Sequence, residues 1–274
     1  AYDDNGEISL VRASAAHLER WYGVGGYGLP PRDLQVWVPE GGAFTHALFA
    51  HDGQNLFDPA AFFGGWKLDQ SAPPEMLIVG INNAGAGRFE EYTHVEDVAF
   101  GEVRGGDADA YADLVELQIR PKMEAAYGEA AVVGTMGSSL GGLVSLLIAD
   151  RFPARYDMAI SLSGTLGWGS RELQNETVID LYAGAGKRPY AIYLDSGAGD
   201  GGAPCVDSVD DGVMDDNLLA KDNYCENIQM RDLLAALGHE FGVDLWHWHE
   251  PGAPHNEAAW AARVDLPLGL FAGL

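Results

Sequence analysis

Residues 135–143 read Thr-Met-Gly-Ser-Ser-Leu-Gly-Gly-Leu, directly after the apolar run Ala-Ala-Val-Val of residues 130–133. The stretch holds a Gly-x-Ser-x-Gly pattern with Ser139 at its centre, between Gly137 and Gly141. A strand is predicted before it and a helix over 140–150 after it. At such a strand-to-helix turn a serine is held in strained backbone geometry with its hydroxyl exposed, and the flanking glycines let neighbouring backbone pass close by. The pattern predicts a nucleophilic serine in preference to an ordinary glycine-rich turn.

Around this turn, short apolar runs alternate with helical stretches, the order expected for a mostly parallel sheet with helices on both faces. The segment 33–38 alternates polar and apolar residues and ends at Pro39, which predicts an outer antiparallel strand. Strands are predicted at 7–11, 33–38, 47–50, 76–81, 131–135, 158–162, 190–194 and 242–248. Helices are predicted at 108–127, 140–151, 226–237 and 256–264. We expect a single α/β domain over residues 1–274, built on a central sheet of about eight strands.

The negative charge of the chain argues against two classes of binding partner, nucleic acids and anionic membranes. With 41 acidic and 16 basic residues the formal net charge is −25, which repels nucleic acid phosphates and anionic lipids. No apolar run is long enough to predict a membrane-spanning helix. The first residues, Ala-Tyr-Asp-Asp-Asn, are polar and acidic, and we do not expect them to be a signal peptide. We therefore expect neither nucleic acid binding nor a membrane span.

A serine hydroxyl needs a base to become a nucleophile, and the base needs a carboxylate to orient it. In α/β-hydrolases these residues follow in the chain order serine, acid, histidine. Of the histidines after Ser139, His239 falls at the wrong end of the sheet, and His247 and His249 are expected to be ordinary strand residues. His255 lies in the loop between the last predicted strand and the helix that follows. His255 is therefore predicted to be the base.

The sequence identifies the acid of the triad less clearly than it identifies the base. The predicted strand 190–194 leads into Asp195-Ser-Gly-Ala-Gly-Asp200. Asp195 stands at the strand end, where a structural role is expected, whereas Asp200 lies a few residues out, where a loop can carry it toward the histidine. We favour Asp200, and Asp195 and Asp222 remain as alternatives.

The oxyanion of a tetrahedral intermediate needs two backbone donors. One is expected to be the N–H of Leu140, directly after the serine. The other is expected from the segment His51-Asp-Gly-Gln-Asn-Leu-Phe, in which Gly53 makes the tight turn and Gln54 donates.

Taken together, these segments resemble the putative-esterase family of the α/β-hydrolase superfamily, which includes esterase D, feruloyl and acetylxylan esterases, enterobactin esterases and mycolyltransferases. The resemblance is spread over nearly the whole chain, in family order, and is carried by residues 51–58, 65–69, 78–82, 91–93, 137–142, 194–197 and 254–257. It implies an α/β-hydrolase fold. It also implies that Ser139, Asp200 and His255 form the triad, and that Gln54 completes the oxyanion hole. The stretch 201–225 departs from many members and is interpreted as an acidic loop insertion.

The expected activity is hydrolysis of carboxylic esters through an acyl-enzyme, with no organic cofactor. Acyl transfer by the same triad and a non-catalytic binding protein on this fold are the alternatives. Small-molecule or polysaccharide-linked esters are the expected substrates, and aryl and carbohydrate-linked esters are considered because aromatic residues are frequent in the glycine-rich loops. These are Trp21, Tyr22, Tyr27, Phe57, Phe62, Phe63, Trp66 and Trp168.

The insertion carries two further expectations. Cys205 and Cys225 bracket it, and a disulfide between them would staple a long irregular loop and favour a secreted or periplasmic location. Its carboxylates and central glycine also suggest a structural Ca²⁺ site, because this cation prefers oxygen ligands; a solvated acidic loop is the alternative. The residues considered as Ca²⁺ ligands are Asp207, Asp210, Asp211, Asp215 and Asp216.

Overall fold

The computed structural model describes residues 15–198, 204–214 and 222–274. The predicted strand at 7–11 lies outside these ranges. The described residues form an eight-stranded sheet in the order β1-β2-β4-β3-β7-β8-β9-β10, together with a two-stranded hairpin of β5 and β6. The strands are β1 (His17–Gly26), β2 (Leu29–Val38), β3 (His46–His51), β4 (Met76–Ile81), β5 (Glu96–Ala99), β6 (Glu102–Gly105), β7 (Val132–Ser138), β8 (Met158–Leu162), β9 (Ala191–Ser196) and β10 (Leu245–His249).

Helices cover both faces of this sheet. They are α1 (Leu68–Ser71), α2 (Arg88–Tyr92), α3 (Ala108–Leu114), α4 (Arg120–Tyr127), α5 (Leu140–Arg151), α6 (Val178–Ala185), α7 (Tyr224–Ala236), α8 (Glu257–Ala261) and α9 (Asp265–Phe271). In the described part of the chain, none of the helices combines the length and the apolar character that crossing a membrane requires. The predicted fold class, an α/β-hydrolase fold with a mostly parallel sheet, is confirmed.

Alternating residues of the central strands feed two separate cores. In β3, Phe49 belongs to the core shared with α5, whereas its neighbour Leu48 belongs to the core that contains Trp260 and Phe271 from α8 and α9. Successive strand side chains point to opposite faces, so a strand covered on both sides must be apolar throughout. This is why β3, β4 and β8 read as nearly continuous apolar runs, with His46 and His51 at the ends of β3 and Ser161 within β8 as exceptions.

The parallel strands bring distant parts of the chain to one edge of the sheet. In the large sheet, all the pairings from β4 through β3 to β10 are parallel, whereas β2 pairs antiparallel with both β1 and β4. The carboxyl ends of β3, β7, β9 and β10 therefore meet at the same edge, where α/β proteins place their ligands. His51, Ser138, Ser196 and His249 are the last residues of these strands.

Several features were not predicted, among them the helices α1, α2, α6 and α9. Strand β1 contains charged residues and glycines in place of an apolar run, and its pairing with β2 shifts register near Val24. The short β5–β6 hairpin turns at Phe100 and Gly101, both at positive φ, as a two-residue hairpin turn requires. The predicted helix at 108–127 contains a π-helical turn, Val115–Ile119. That turn directly precedes Arg120-Pro121, where proline has no N–H for a regular helical bond.

Candidate active site

Ser139 occupies a strained turn between β7 and α5. Its backbone lies at φ 57° and ψ −124°, a conformation that costs a residue with a Cβ on the order of 1–3 kcal/mol. Gly137 is required there, because a Cβ on it would lie 2.5 Å from the backbone of Gly141. The turn is fixed by the Ser139 N–H, which donates to the carbonyl of Leu162 at 2.9 Å. The predicted strand–serine–helix geometry is thus present.

His255 reaches the serine from the loop after β10. Its Nε2 lies 2.9 Å from the Ser139 Oγ. The loop ends at Asn256, whose side chain caps α8 by accepting the Ala259 N–H at 3.0 Å, so the position of the imidazole is fixed by the start of that helix. The structure brings together Ser139 and His255 as the sequence predicted.

Asp222 is the carboxylate that contacts the histidine. Its Oδ1 lies 2.5 Å from the His255 Nδ1, and its side chain is fully buried. The sequence analysis favoured Asp200, which lies outside the described residues. Asp222, an alternative acid in the sequence analysis, therefore occupies the position that the acid of a triad requires. The acid role favoured for Asp200 stays a prediction.

Asp222 is held by a buried polar network. Its Oδ2 accepts hydrogen bonds from the Ser163 hydroxyl, at 2.7 Å, and from the Gly197 N–H. Arg263 donates to the Ser163 Oγ at 2.7 Å and forms two hydrogen bonds of 3.0 Å with Asp195. Asp195 therefore anchors Arg263 behind the acid and does not touch His255. Arg263 and Ser163 carry no local motif that sequence reasoning could have used.

The remaining histidines stay away from the serine. His247 and His249 both lie in β10, as expected, and burial lowers the pKa of His247 to about 4. His249 Nε2 contacts the carbonyl of Ala198 at 2.6 Å, and the buried His239 lies between α7 and β10.

The loop after β3 faces the serine. Gly53 allows the loop to pack closely against β4, since a Cβ on it would lie 2.5 Å from the backbone of Gly80. The Gln54 side chain accepts the Asn83 N–H at 3.1 Å, which fixes the loop to the end of β4. Within the described residues, the backbone N–H groups of Gln54 and Leu140 donate no hydrogen bond. Both are therefore available to a ligand at Ser139, the place where two donors were predicted.

An ion pair between Arg88 and Asp52 stabilises the loop after β3. The Arg88 guanidinium binds both carboxylate oxygens of Asp52, at 2.8 and 2.7 Å. Burial alone would raise the pKa of Asp52, but Arg88 holds it below its ordinary value. The neighbouring His51 is fully buried between Tyr111 and Thr135, and burial lowers its pKa to about 3. His51 is thus a neutral structural residue of this loop.

Two cavities meet at the serine and the histidine. The larger has a volume of about 820 Å³ and the smaller about 230 Å³. Ser139, His255, Arg88 and Phe89 line both. The larger cavity is further lined by Asp52, Gln54, Asn55, Ala61, Phe62, Phe63, Asn83, Gly85, Ser138, Glu257 and Trp260. The smaller is further lined by Leu140, Thr165, Trp168, Arg171, Asp222 and Asn223.

The predicted bridge between Cys205 and Cys225 is present. Cys225 is buried in the first turn of α7, so the bridge ties the segment 204–214 to the helix that begins directly after Asp222 and Asn223. The disulfide therefore restrains the same part of the chain that carries the acid.

We expect reduction of this disulfide to lower both stability and activity. A closed loop of this size stabilises the fold by about 3 kcal/mol, and its release would loosen Asp222 against His255. The melting temperature and ester turnover should both fall on adding reductant. The double variant Cys205→Ser, Cys225→Ser is the control, since it should resemble the reduced protein and ignore the reductant. Two titratable thiols in the freshly isolated protein would contradict the bridge.

The acidic segment provides little support for a metal site. The Asp207 carboxylate accepts the backbone N–H groups of Asp211 and Gly212, at 3.1 and 2.8 Å, and Asp210 lies in the same turn. No group of three or more His, Cys, Asp or Glu side chains suited to a metal ion occurs among the described residues. Asp215 and Asp216 lie outside them. The Ca²⁺ site stays a prediction.

Comparison with known proteins agrees with this geometry. Residues 30–265 match the family model described as putative esterase. A search of curated proteins found an uncharacterized protein, YbbA, of Bacillus subtilis (strain 168), 27% identical over 143 residues. That match covers 50% of this chain and 54% of YbbA, so the chain aligns with about half of this relative's length.

Several solved structures share the fold. An IroE-like serine hydrolase from Shewanella oneidensis has a TM-score of 0.68 at 18% identity and covers 93% of this chain and 80% of its own. The enterobactin esterase FES from Shigella flexneri has a TM-score of 0.64 at 15% identity, covering 94% and 59%. The siderophore hydrolase EstA from Aspergillus nidulans has a TM-score of 0.62 at 16% identity, covering 97% and 98%. With a family model matched over most of its length, the chain belongs to the putative-esterase family.

Proposed function

We propose that this protein is a serine esterase that hydrolyses carboxylic esters through a triad of Ser139, His255 and Asp222. The observation that carries the proposal is the position of His255, with Nε2 2.9 Å from the Ser139 Oγ and Nδ1 2.5 Å from the Asp222 Oδ1. This is the hydrogen-bonded chain that a base needs to accept a serine proton and to be stabilised once it is charged. Membership of the putative-esterase family supports the same activity.

The reaction would proceed in two halves. Ser139 Oγ attacks the ester carbonyl while its proton passes to His255 Nε2, and Asp222 stabilises the resulting imidazolium. The N–H groups of Gln54 and Leu140 donate to the oxyanion. Collapse of the intermediate breaks the bond to the alcohol, which leaves with the proton from Nε2. Water then gives a proton to Nε2 and attacks the acyl-enzyme, which releases the acid and restores the serine hydroxyl.

We propose that the substrates are aryl esters that place a ring in the larger cavity. Phe62 and Phe63 line that cavity, are 92% and 66% exposed and contact each other edge to face at 4.8 Å. Aromatic side chains left in water beside a nucleophile offer a stacking surface for a ligand ring. Among the proteins with the same fold is an esterase whose structure was solved with 2,3-di-hydroxy-N-benzoyl-serine, an aromatic ligand.

A panel of aryl esters, acetylated sugars and short-chain nitrophenyl esters tests this substrate class. We expect the double variant Phe62→Ala, Phe63→Ala to raise KM for aryl esters by about 30-fold, because each of the two ring contacts contributes roughly 1 kcal/mol. KM for acetylated sugars should change less. Tyr22→Ala is the control, since Tyr22 is 72% exposed on β1 and lines neither cavity. Equal changes for both substrate classes would count against the ring site.

We further propose that the protein works outside the reducing cytoplasm. The Cys205–Cys225 disulfide supports this location, because such bonds persist in oxidising compartments. The thiol titration described above tests this proposal as well.

A further inference from the structure

The smaller cavity contains an arginine that the proposed reaction does not use. Arg171 lines this cavity together with Ser139, Thr165 and Asn223. It is exposed and lies in the loop between β8 and α6. Its guanidinium is 5.7 Å from the centre of the Trp168 ring. A cation is therefore presented to whatever occupies this side of the nucleophile.

Arg171 differs from most of the described arginines in its lack of a carboxylate partner, a lack that it shares with Arg20 on β1. The arginines at 32, 88, 104, 120, 151, 155, 188, 231 and 263 all form ion pairs. The Arg171 side chain forms no hydrogen bond or ion pair with another described residue. In a chain with 41 acidic and 16 basic residues, partners are abundant. An unpaired guanidinium beside the nucleophile is thus available to a ligand.

The loop that carries Arg171 is held in place by the β5–β6 hairpin. Asp97, buried in β5, accepts the backbone N–H groups of Gly169 at 2.8 Å and of Arg171 at 3.0 Å through one oxygen, and the N–H of Glu172 at 3.1 Å through the other. The indole of Trp168 donates to the carbonyl of Val95 at 2.8 Å. Four hydrogen bonds therefore fix the backbone around Arg171, which lowers the entropy cost of using it in binding.

The charges of the two cavities differ. In the smaller cavity Arg88 is paired with Asp52, and Asp222 is fully buried and contacts His255 and Arg263. Arg171 is therefore the exposed charged group of this cavity. The larger cavity contains the half-buried Glu257, which accepts a hydrogen bond from Asn55, beside the phenylalanine pair. A ligand thus meets an exposed cation on one side of Ser139, and aromatic rings and a carboxylate on the other.

We propose that the preferred substrates are esters that bear a carboxylate, and that Arg171 binds this group in the smaller cavity while the apolar part occupies the larger one. This rests on the proposed esterase function and adds a substrate feature to it. A guanidinium binds a carboxylate through paired, charge-assisted hydrogen bonds. The net charge of −25 disfavours anions at long range, so a local cation would be needed to select one.

The test compares esters that differ only in charge. One pair is 4-nitrophenyl hydrogen adipate and its methyl ester, which places the carboxylate on the acyl part. The other is 4-carboxyphenyl acetate and 4-carbamoylphenyl acetate, which places it on the alcohol part. For one of these pairs the wild-type kcat/KM should be higher for the anionic member, and Arg171→Gln should lower that ratio by about 10- to 100-fold. Arg171→Lys should retain part of it.

Arg20→Gln is the matched control. It removes the same charge from β1, where Arg20 also lacks an ion pair among the described residues and lines neither cavity. The ratio should be unchanged in this variant and should fall with added salt in the wild type. No preference in the wild type for either pair, an unaltered ratio in Arg171→Gln, or an equal fall in Arg20→Gln would overturn the proposal.

Binding to the Ser139→Ala variant separates this proposal from the esterase function. Calorimetry with the same ester pairs should give tighter binding of the anionic member, and the additional change Arg171→Gln should remove the difference. If the wild type hydrolysed none of the esters, the esterase proposal would fail, while the difference in affinity would still decide the role of Arg171. Equal affinities for both members of each pair would refute that role.

Discussion

Replacing Ser139 with alanine is expected to lower kcat for ester hydrolysis by about 10³- to 10⁶-fold. The change removes the atom that forms the acyl-enzyme. Only binding and the donors at Gln54 and Leu140 would remain to accelerate attack by water. Steady-state hydrolysis of a short-chain nitrophenyl ester measures the loss.

The neighbouring Ser138 provides the control for this prediction. It is buried at the end of β7, and Ser138→Ala should keep most of the activity. A melting curve for each variant separates loss of chemistry from loss of fold. Near-normal turnover in Ser139→Ala, or a comparable loss in Ser138→Ala, would rule out the proposed nucleophile.

Replacing Asp222 with asparagine is expected to lower kcat by about 10³- to 10⁴-fold while the protein stays folded. Asparagine keeps the shape of the side chain and can still accept from the Ser163 hydroxyl and the Gly197 N–H. It lacks the charge that stabilises the imidazolium, and its amide favours the wrong tautomer of His255. Turnover and melting temperature should be measured on the same preparations.

The variants Asp200→Asn and Asp195→Asn are the controls for Asp222→Asn. Asp200→Asn should leave activity close to that of the wild type, since Asp222 already accepts the His255 Nδ1–H. Asp195→Asn should act mainly on stability, because the hydrogen bonds of Asp195 go to Arg263 and the backbone N–H of Ser163. A larger loss of activity in folded Asp200→Asn than in Asp222→Asn would show that Asp200 is the acid of the triad.

The positions of the proposed nucleophile and base were predictable because their signals are local. Ser139 stands between glycines that a strand-to-helix turn requires, and His255 lies in a short loop between a strand and a helix. In each case the element on either side fixes where the side chain must lie. The apolar runs of β3, β4 and β8 were predictable for the same kind of reason, since strands covered on both faces must be apolar throughout.

The acid could not be identified with the same certainty because its position depends on tertiary structure. Asp222 lies in a long insertion with no periodic pattern. Ser163 and Gly197, which are distant in the chain, donate the hydrogen bonds that hold it beside the histidine. Asp200 was favoured for its distance along the chain from a strand end and for its match to the family pattern. The local sequence around Asp200 and Asp222 carries no signal that identifies which carboxylate contacts His255.

The proposed role of Arg171 in substrate binding could not be predicted from the sequence either. Its immediate neighbours in the sequence carry no motif, and its position is set by Asp97, which is distant in the chain and lies in a hairpin that was not predicted. The strands of that hairpin are four residues each, too short for a clear alternation of polar and apolar residues. Residues that recognise substrate can thus depend on elements whose own sequence signal is weak.

Labelling the intact protein with a fluorophosphonate probe, followed by peptide mapping, tests the central claim most directly. The probe reacts with a serine that a neighbouring base has activated, and it needs no knowledge of the natural substrate. The triad of Ser139, His255 and Asp222 predicts a single label on Ser139, lost in Ser139→Ala and strongly slowed in Asp222→Asn. A label on Ser138 or Ser163, or undiminished labelling of the Ser139→Ala variant, would contradict it.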